Sequence, residues 1–212
     1  MNPVRWIAGP TVLAVASVGV AAESGWSEAG AILQPTGSIR SDYFRSSRSP
    51  GHEADMLGTT LQVKLLPSFS PNLDGKVEVR FTAPDLDEGR SQTTLLEGFL
   101  SVRLAKADLR IGRQIVAWGR ADGINPTDNL TPRDYTVRLP FENDQRVGTP
   151  SAKLDVYLTD SRTLTIFTTA WFQPGKIPLP AVPGGVSRSV PPRNLSSSEI
   201  GVRLNNVGER LD

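Results

Sequence analysis

The sequence predicts an all-β protein, an antiparallel up-and-down β-barrel of the transmembrane, outer-membrane type. Three observations predict it. Apolar and polar residues alternate with period two over stretches of about 8 to 11 residues, which is the strand length that crosses a bilayer at a tilt. The segments joining those stretches alternate between long and short, the layout of a barrel with extended loops at one end and tight turns at the other. Aromatic side chains gather at the long-loop ends, where such a barrel carries a girdle.

Composition narrows the function classes first. The chain has 212 residues, enough for one domain or slightly more. Its 19 glycines and 17 prolines supply many turns. With no cysteine, disulfides, thiolate nucleophiles and cysteine zinc sites are excluded. A single histidine rules out a two-histidine metal site. Lys+Arg number 23 and Asp+Glu 22, so there is no electrostatic case for nucleic acid. The expectation is a protein that is not an enzyme and uses no metal or cofactor.

Residues 1–22 read as a leader. Arg5 supplies a positive start, Trp6 to Val20 is uncharged and mostly apolar, and Val20-Ala21-Ala22 places small residues before Glu23. That is the pattern of a secretory signal peptide, and its apolar run of about 15 residues is shorter than a spanning helix. The barrel domain is then 23–212.

Eight strands follow in order. The first lies near 36–46. The second, 57–65, sets Leu57, Thr59, Leu61, Val63 and Leu65 against Gly58, Thr60, Gln62 and Lys64. The third, 76–83, sets Val77, Val79, Phe81 and Ala83 against Lys76, Glu78, Arg80 and Thr82. The fourth, 96–104, puts Leu96, Gly98, Leu100, Val102 and Leu104 on one face and Glu97, Phe99, Ser101 and Arg103 on the other. The fifth lies at 109–118 and the sixth at 152–158, where Ala152, Leu154, Val156 and Leu158 alternate with Lys153, Asp155 and Tyr157. The seventh is 163–172, and the eighth alternates Ile200, Val202 and Leu204 with Gly201, Arg203 and Asn205.

Connections after odd strands (47–55, 84–92, 119–150 and 173–198) are long and polar or Pro-rich. Those after even strands include the tight turns 105–108 and 159–162. Alternation alone fits a soluble sandwich equally well, because the pattern is the same whichever face meets water. The aromatics Tyr43, Phe44, Phe81, Trp118, Trp171 and Phe172, near the odd-strand ends, favour the membrane barrel.

The least generic stretch is 109–135, LRIGRQIVAWGRADGINPTDNLTPRDY. Together with Glu97-Gly98-Phe99-Leu100, the motifs Gly112-Arg113-Gln114, Trp118-Gly119 and Asn125-Pro126 resemble a group of porin-like outer-membrane barrels of Gram-negative bacteria, similar to the DUF1302 and alginate-export barrels. The resemblance covers most of the chain in layout and is specific over about 95–135. It implies an outer-membrane barrel that passes or exports a polar solute without naming it. Such barrels look about twice as long, so the resemblance implies the N-terminal portion of a larger barrel, with a closed eight-strand barrel as the alternative.

Charged residues then acquire places. Arg110, Arg113, Arg120 and Arg133 lie near Asp122, Asp128 and Asp134 in sequence. A loop folded inward would set these against each other as a constriction, whose guanidinium groups select anions by field and by bidentate pairing. The bland reading is that the same charges pair to hold a long loop against the wall. Gln62, Lys64, Glu78, Arg80, Glu97, Arg103 and Lys153 would line the lumen if their apolar neighbours face lipid. Asp122, Asn125 and Asp128 offer hard oxygens, but without EF-hand spacing. His52 has no GxSxG serine in the chain to serve.

The expected function is a porin-like channel in the outer membrane of a Gram-negative bacterium, giving passive passage or export to a polar or anionic small solute. Its partners would be outer-membrane lipid and that solute. The alternative is a soluble periplasmic or secreted β-barrel or β-sandwich that binds a ligand.

Overall fold

The computed structural model describes residues 13–16, 32–45, 55–83, 91–118, 130–137, 145–177 and 189–207. They form one antiparallel sheet built from β1 (Leu13–Ala16), β2 (Thr36–Arg45), β3 (Asp55–Leu65), β4 (Ser68–Ser70), β5 (Leu73–Ala83), β6 (Gln92–Leu104), β7 (Ala107–Gln114), β8 (Thr149–Thr159), β9 (Arg162–Thr169) and β10 (Ile200–Asn206). The order is β1-β2-β3-β5-β6-β7-β8-β9-β10, with β4 paired to β5 off the main path. Apart from β4, each strand therefore lies beside the strands before and after it in sequence, as in an up-and-down meander. The sheet is open: β1 and β10 are the two ends of the path. Among the described residues no helix is long and apolar enough to cross a membrane, which says nothing about strands.

All eight expected strands are present, and β1 and β4 are additional. β1 falls inside the stretch read as a leader, where it pairs with Ile39 to Asp42 of β2. The loop parity also holds. Ala105-Lys106 and Asp160-Ser161 are tight turns, while 46–54, 84–91, 115–148 and 170–199 are the long connections. β4 and β5 form a small hairpin in the connection after β3.

Two expected strands end early. β7 stops at Gln114 rather than 118, where the Ile115 N–H turns from the ladder to the Glu97 carboxylate; within the strand, Gly112 adopts φ +135°. That region favours glycine, and here a side chain is also excluded by space. A Cβ on Gly112 would lie 2.4 Å from the Gly98 carbonyl oxygen. β9 stops at Thr169, where Ala170 N–H bonds the Pro150 carbonyl at 2.8 Å.

One face assignment is corrected. Glu78 pairs with Glu97 and Val79 pairs with Leu95, so Leu96 is an extra residue in β6. Such a bulge turns two successive side chains to the same side. Leu96 is buried beside Glu97, on the face opposite Leu95 and Leu100, both of which are largely exposed. The expected row from Leu96 to Leu104 therefore begins only at Gly98.

The two faces of the sheet differ in burial. Arg80 is 2% exposed, and Thr60, Glu97, Ser101, Gln114, Thr149, Ser151 and Thr165 are buried with it. On the other face Leu100 is 50% exposed, Leu104 57% and Ile111 56%, with Leu61, Val77, Phe81, Ile166, Val202 and Leu204 also exposed. Burying each such Leu or Ile side chain is worth about 1.5–3 kcal/mol. The sheet forgoes that in water on a whole row of positions.

Candidate functional site

The polar face carries separate clusters of paired charged and polar side chains. Lys76 lies between two carboxylates, 2.6 Å from Glu78 and in closer contact with Glu97. Glu78 also accepts from the Gln62 amide. The residues come together because Gln62 neighbours Arg80 across β3 and β5, while Lys64 and Glu97 both oppose Glu78. Farther along, Lys153 sits 2.6 Å from Asp155, which accepts from Thr165 Oγ1 at 2.6 Å. Tyr157 donates to Asp108 at 2.6 Å. Arg110 stacks over Phe99, its guanidinium carbon 5.6 Å from the ring centre. Arg103 pairs with Asp74 and donates to the Pro71 carbonyl at 3.2 Å, at the short-turn end.

The connection after β7 folds onto this same face. The Ile115 N–H donates to Glu97 Oε1 at 2.8 Å. Thr131 bridges both backbone groups of Val116, accepting at 2.9 Å and donating at 2.8 Å. Trp118 reaches β9 and β10. Its ring lies 6.4 Å from that of Phe167, which is wholly buried, and its edge passes within 3.3 Å of where a Gly201 side chain would begin. Gly201 leaves room for an indole that any larger residue would displace. Trp118 is therefore packed against the polar face, not placed in an outward girdle as expected. Phe81 does lie on the outward apolar face.

At the long-loop end, beside the first residues of β6, lies a cavity of about 340 Å³. Its wall includes Thr94, Arg113, Arg133, Asp134, Gln173 and Lys176. The Arg113 guanidinium is held by the Gly148 carbonyl at 2.7 Å. Asp134 is almost fully buried and pairs with Lys176 at 2.7 Å. The two segments are laced through backbone bonds from Tyr135 N–H to the Lys176 carbonyl and from Lys176 N–H to the Arg133 carbonyl, each 2.8 Å. Burial pushes the Asp134 carboxyl up, but the hydrogen bonds and charge from Lys176 and the bonds from Thr136 outweigh it, leaving the group below its ordinary value of 3.8.

No family model, curated protein or solved structure matches the chain.

Of the residues expected at a constriction, the structure brings Arg113, Arg133 and Asp134 together at the cavity. Arg110 stands apart, on the polar face between Ser101 and Lys153. Arg120, Asp122 and Asp128 lie outside the described residues, as do Asn125 and His52. Gln62, Lys64, Glu78, Arg80, Glu97, Arg103 and Lys153 share the polar face. Lys76 was left out of the expected wall, although its phase beside Glu78 and Arg80 carried the signal. Lys176 and Arg193 had no such signal, being distant in sequence from the segments they meet. Among the described residues no group of three acidic or histidine side chains is placed to hold a metal ion.

Proposed function

We propose that this chain forms a β-barrel, or part of one, in the outer membrane of a Gram-negative bacterium and gives passage to a polar solute. The observation that carries the reading is the inverted burial of the sheet. Leu100, Leu104 and Ile111 are half or more exposed, while Arg80, Glu97, Gln114 and Thr165 are buried. A sheet with its apolar residues outward is stable where the outside is hydrocarbon, and its polar face then lines water. The up-and-down order supports the same reading, because a meander closes with strand neighbours in sequence order. So does the resemblance of Glu97 to Pro126 to the porin-like DUF1302 and alginate-export barrels.

In this reading the charged clusters from Lys76 to Thr165 are the lumen wall. Ile115 to Trp118, the described start of the connection after β7, folds into the channel and narrows it, held there by Glu97 and Arg203. Residues 1–22 act as the export signal; β1 lies within them, so the wall of the exported barrel begins at β2. The solute crosses down its gradient, and the chain contributes shape and field, with no covalent step.

The test is fractionation and conductance. The full chain is produced in a Gram-negative host, and the membrane fraction is run on unheated and boiled denaturing gels. A urea-resistant outer-membrane band that shifts on boiling, with stepwise conductance in planar bilayers, is the expected result. A soluble monomer with no bilayer activity would overturn it and favour the soluble ligand-binding module.

A further inference from the structure

The described sheet has at one end a strand that an exported wall would not keep. β1, Leu13–Ala16, lies within the stretch read as a leader. It pairs antiparallel with β2, Leu13 opposite Asp42 and Ala16 opposite Ile39. β3 takes the other edge of β2, from Thr36 opposite Lys64 to Arg45 opposite Asp55. A strand has two edges, and each accepts one ladder of backbone bonds. While β1 is in place, β2 has no open edge at Ile39–Asp42.

That edge is the one a barrel needs. A sheet in hydrocarbon must close, because an unpaired edge leaves backbone N–H and C=O groups without partners. With residues 1–22 removed, β2 is the first strand of the wall. Whichever strand closes the wall must then pair with β2 on the side opposite β3. β1 is a poor permanent occupant of that place. Its four residues, Leu-Ala-Val-Ala, include no polar one, so it cannot extend the alternation that gives the wall a polar face. It also covers only part of β2, which has 10 residues.

We propose that the leader is a seam cap: β1 holds the closing edge of β2 at Ile39–Asp42, and the wall closes only after hydrolysis of the Ala22–Glu23 peptide bond releases it. The inference rests on the pore reading and names how assembly of that barrel is held back. A capped edge also offers no row of free backbone groups to a second chain before the membrane is reached.

The test uses the full chain, which has no cysteine of its own. It is diluted from denaturant into phosphatidylcholine vesicles, and the heat-shifting gel band is followed before and after leader peptidase is added. The uncut chain should form the band more slowly than the cut chain by about tenfold or more. Ala14 and Ser41 are direct partners across the ladder, at a Cα spacing that a disulfide spans. In Ala14→Cys with Ser41→Cys, oxidation should therefore tether β1 to β2. Cutting the oxidised chain should give little band, and dithiothreitol should restore it to the rate of the cut wild type. Ala14→Pro with Val15→Pro removes adjacent backbone donors from β1 and should form the band without cutting. Closure of the uncut chain as fast as the cut one would overturn the cap and leave the pore standing. Failure of the two cysteines to link, or closure of the oxidised, cut chain without reductant, would overturn the cap in the same way. No cut after Ala22 would overturn the leader's part in it. A chain that gives no band in any form would overturn the pore reading and this inference together.

Discussion

Arg203 grips Trp118 in two ways, with its guanidinium carbon 5.0 Å from the ring centre and its Nη1 donating to the Trp118 carbonyl at 2.7 Å. The two residues are 85 positions apart. This clasp joins the last strand of the described sheet to the loop leaving β7, and it holds that loop on the polar face. A charge-assisted bond of this kind contributes about 1.5–3 kcal/mol, and the stacking adds about 0.5–1 kcal/mol.

Arg203→Gln should therefore release the loop without dismantling the sheet. Glutamine keeps a neutral N–H donor, so the expected loss is about 1–2 kcal/mol, which changes a local equilibrium by about 5- to 30-fold. Limited proteolysis within 119–145 should speed up by about that factor, and open-channel conductance should rise. Unchanged cleavage and conductance would mean the loop is held by other contacts.

Ile111 and Leu100 are direct cross-strand partners on the exposed apolar face. Ile111→Lys separates the two environments cleanly. In water an exposed position tolerates lysine within about 0.5 kcal/mol. In hydrocarbon the same change costs about 2–4 kcal/mol near the midplane. The variant should assemble poorly into membranes, read as loss of the heat-shifting band. Normal assembly would place this face in water.

Gly112→Ala places a methyl group on a backbone at φ +135°, 2.4 Å from the Gly98 oxygen. Strain and overlap together should cost about 3 kcal/mol or more. The variant should lose the folded band, with Gly58→Ala, where a Cβ meets nothing within 4 Å, as the tolerated control.

Asp134 makes stability depend on pH in a stated direction. Its folded carboxyl lies below its ordinary value of 3.8. The stabilisation is therefore complete above that value and is lost as pH falls below about 4 toward the folded value. Denaturant midpoints of the wild type should fall through that window. Asp134→Asn should cost about 1.5–3 kcal/mol at neutral pH, at the lower end because Lys176 is mostly exposed, and should flatten the acid limb. An equal acid limb in the variant would remove Asp134 from that role.

Much of the sheet was legible from local pattern. Val77, Val79 and Phe81 against Lys76, Glu78 and Arg80 define β5 before any partner is known, because side chains on an extended backbone alternate by geometry. Turn residues and loop parity then dictated a meander. Leu96 was misplaced because a bulge depends on how two strands align, and its sequence looks like uninterrupted alternation. Trp118 continues the strand pattern in sequence, but Glu97 and Thr131 capture the backbone at Ile115 and Val116 and draw the chain onto the polar face, contacts that no local pattern shows. The rim cavity was half legible: Arg113, Arg133 and Asp134 are near in sequence, but Lys176 arrives from another connection.

By itself, then, the sequence determined the strands, their order and the existence of two chemically distinct faces. These follow from period-two geometry and turn chemistry, which act over a few residues. Only the tertiary structure decided that the polar face is the buried one, that the start of the β7–β8 connection folds onto it, and that Arg113, Arg133 and Lys176 line one cavity. Alternation is unchanged when the two faces are exchanged. The choice between them is made by long-range contacts such as Glu97 with Ile115 and Arg203 with Trp118, which no local pattern encodes.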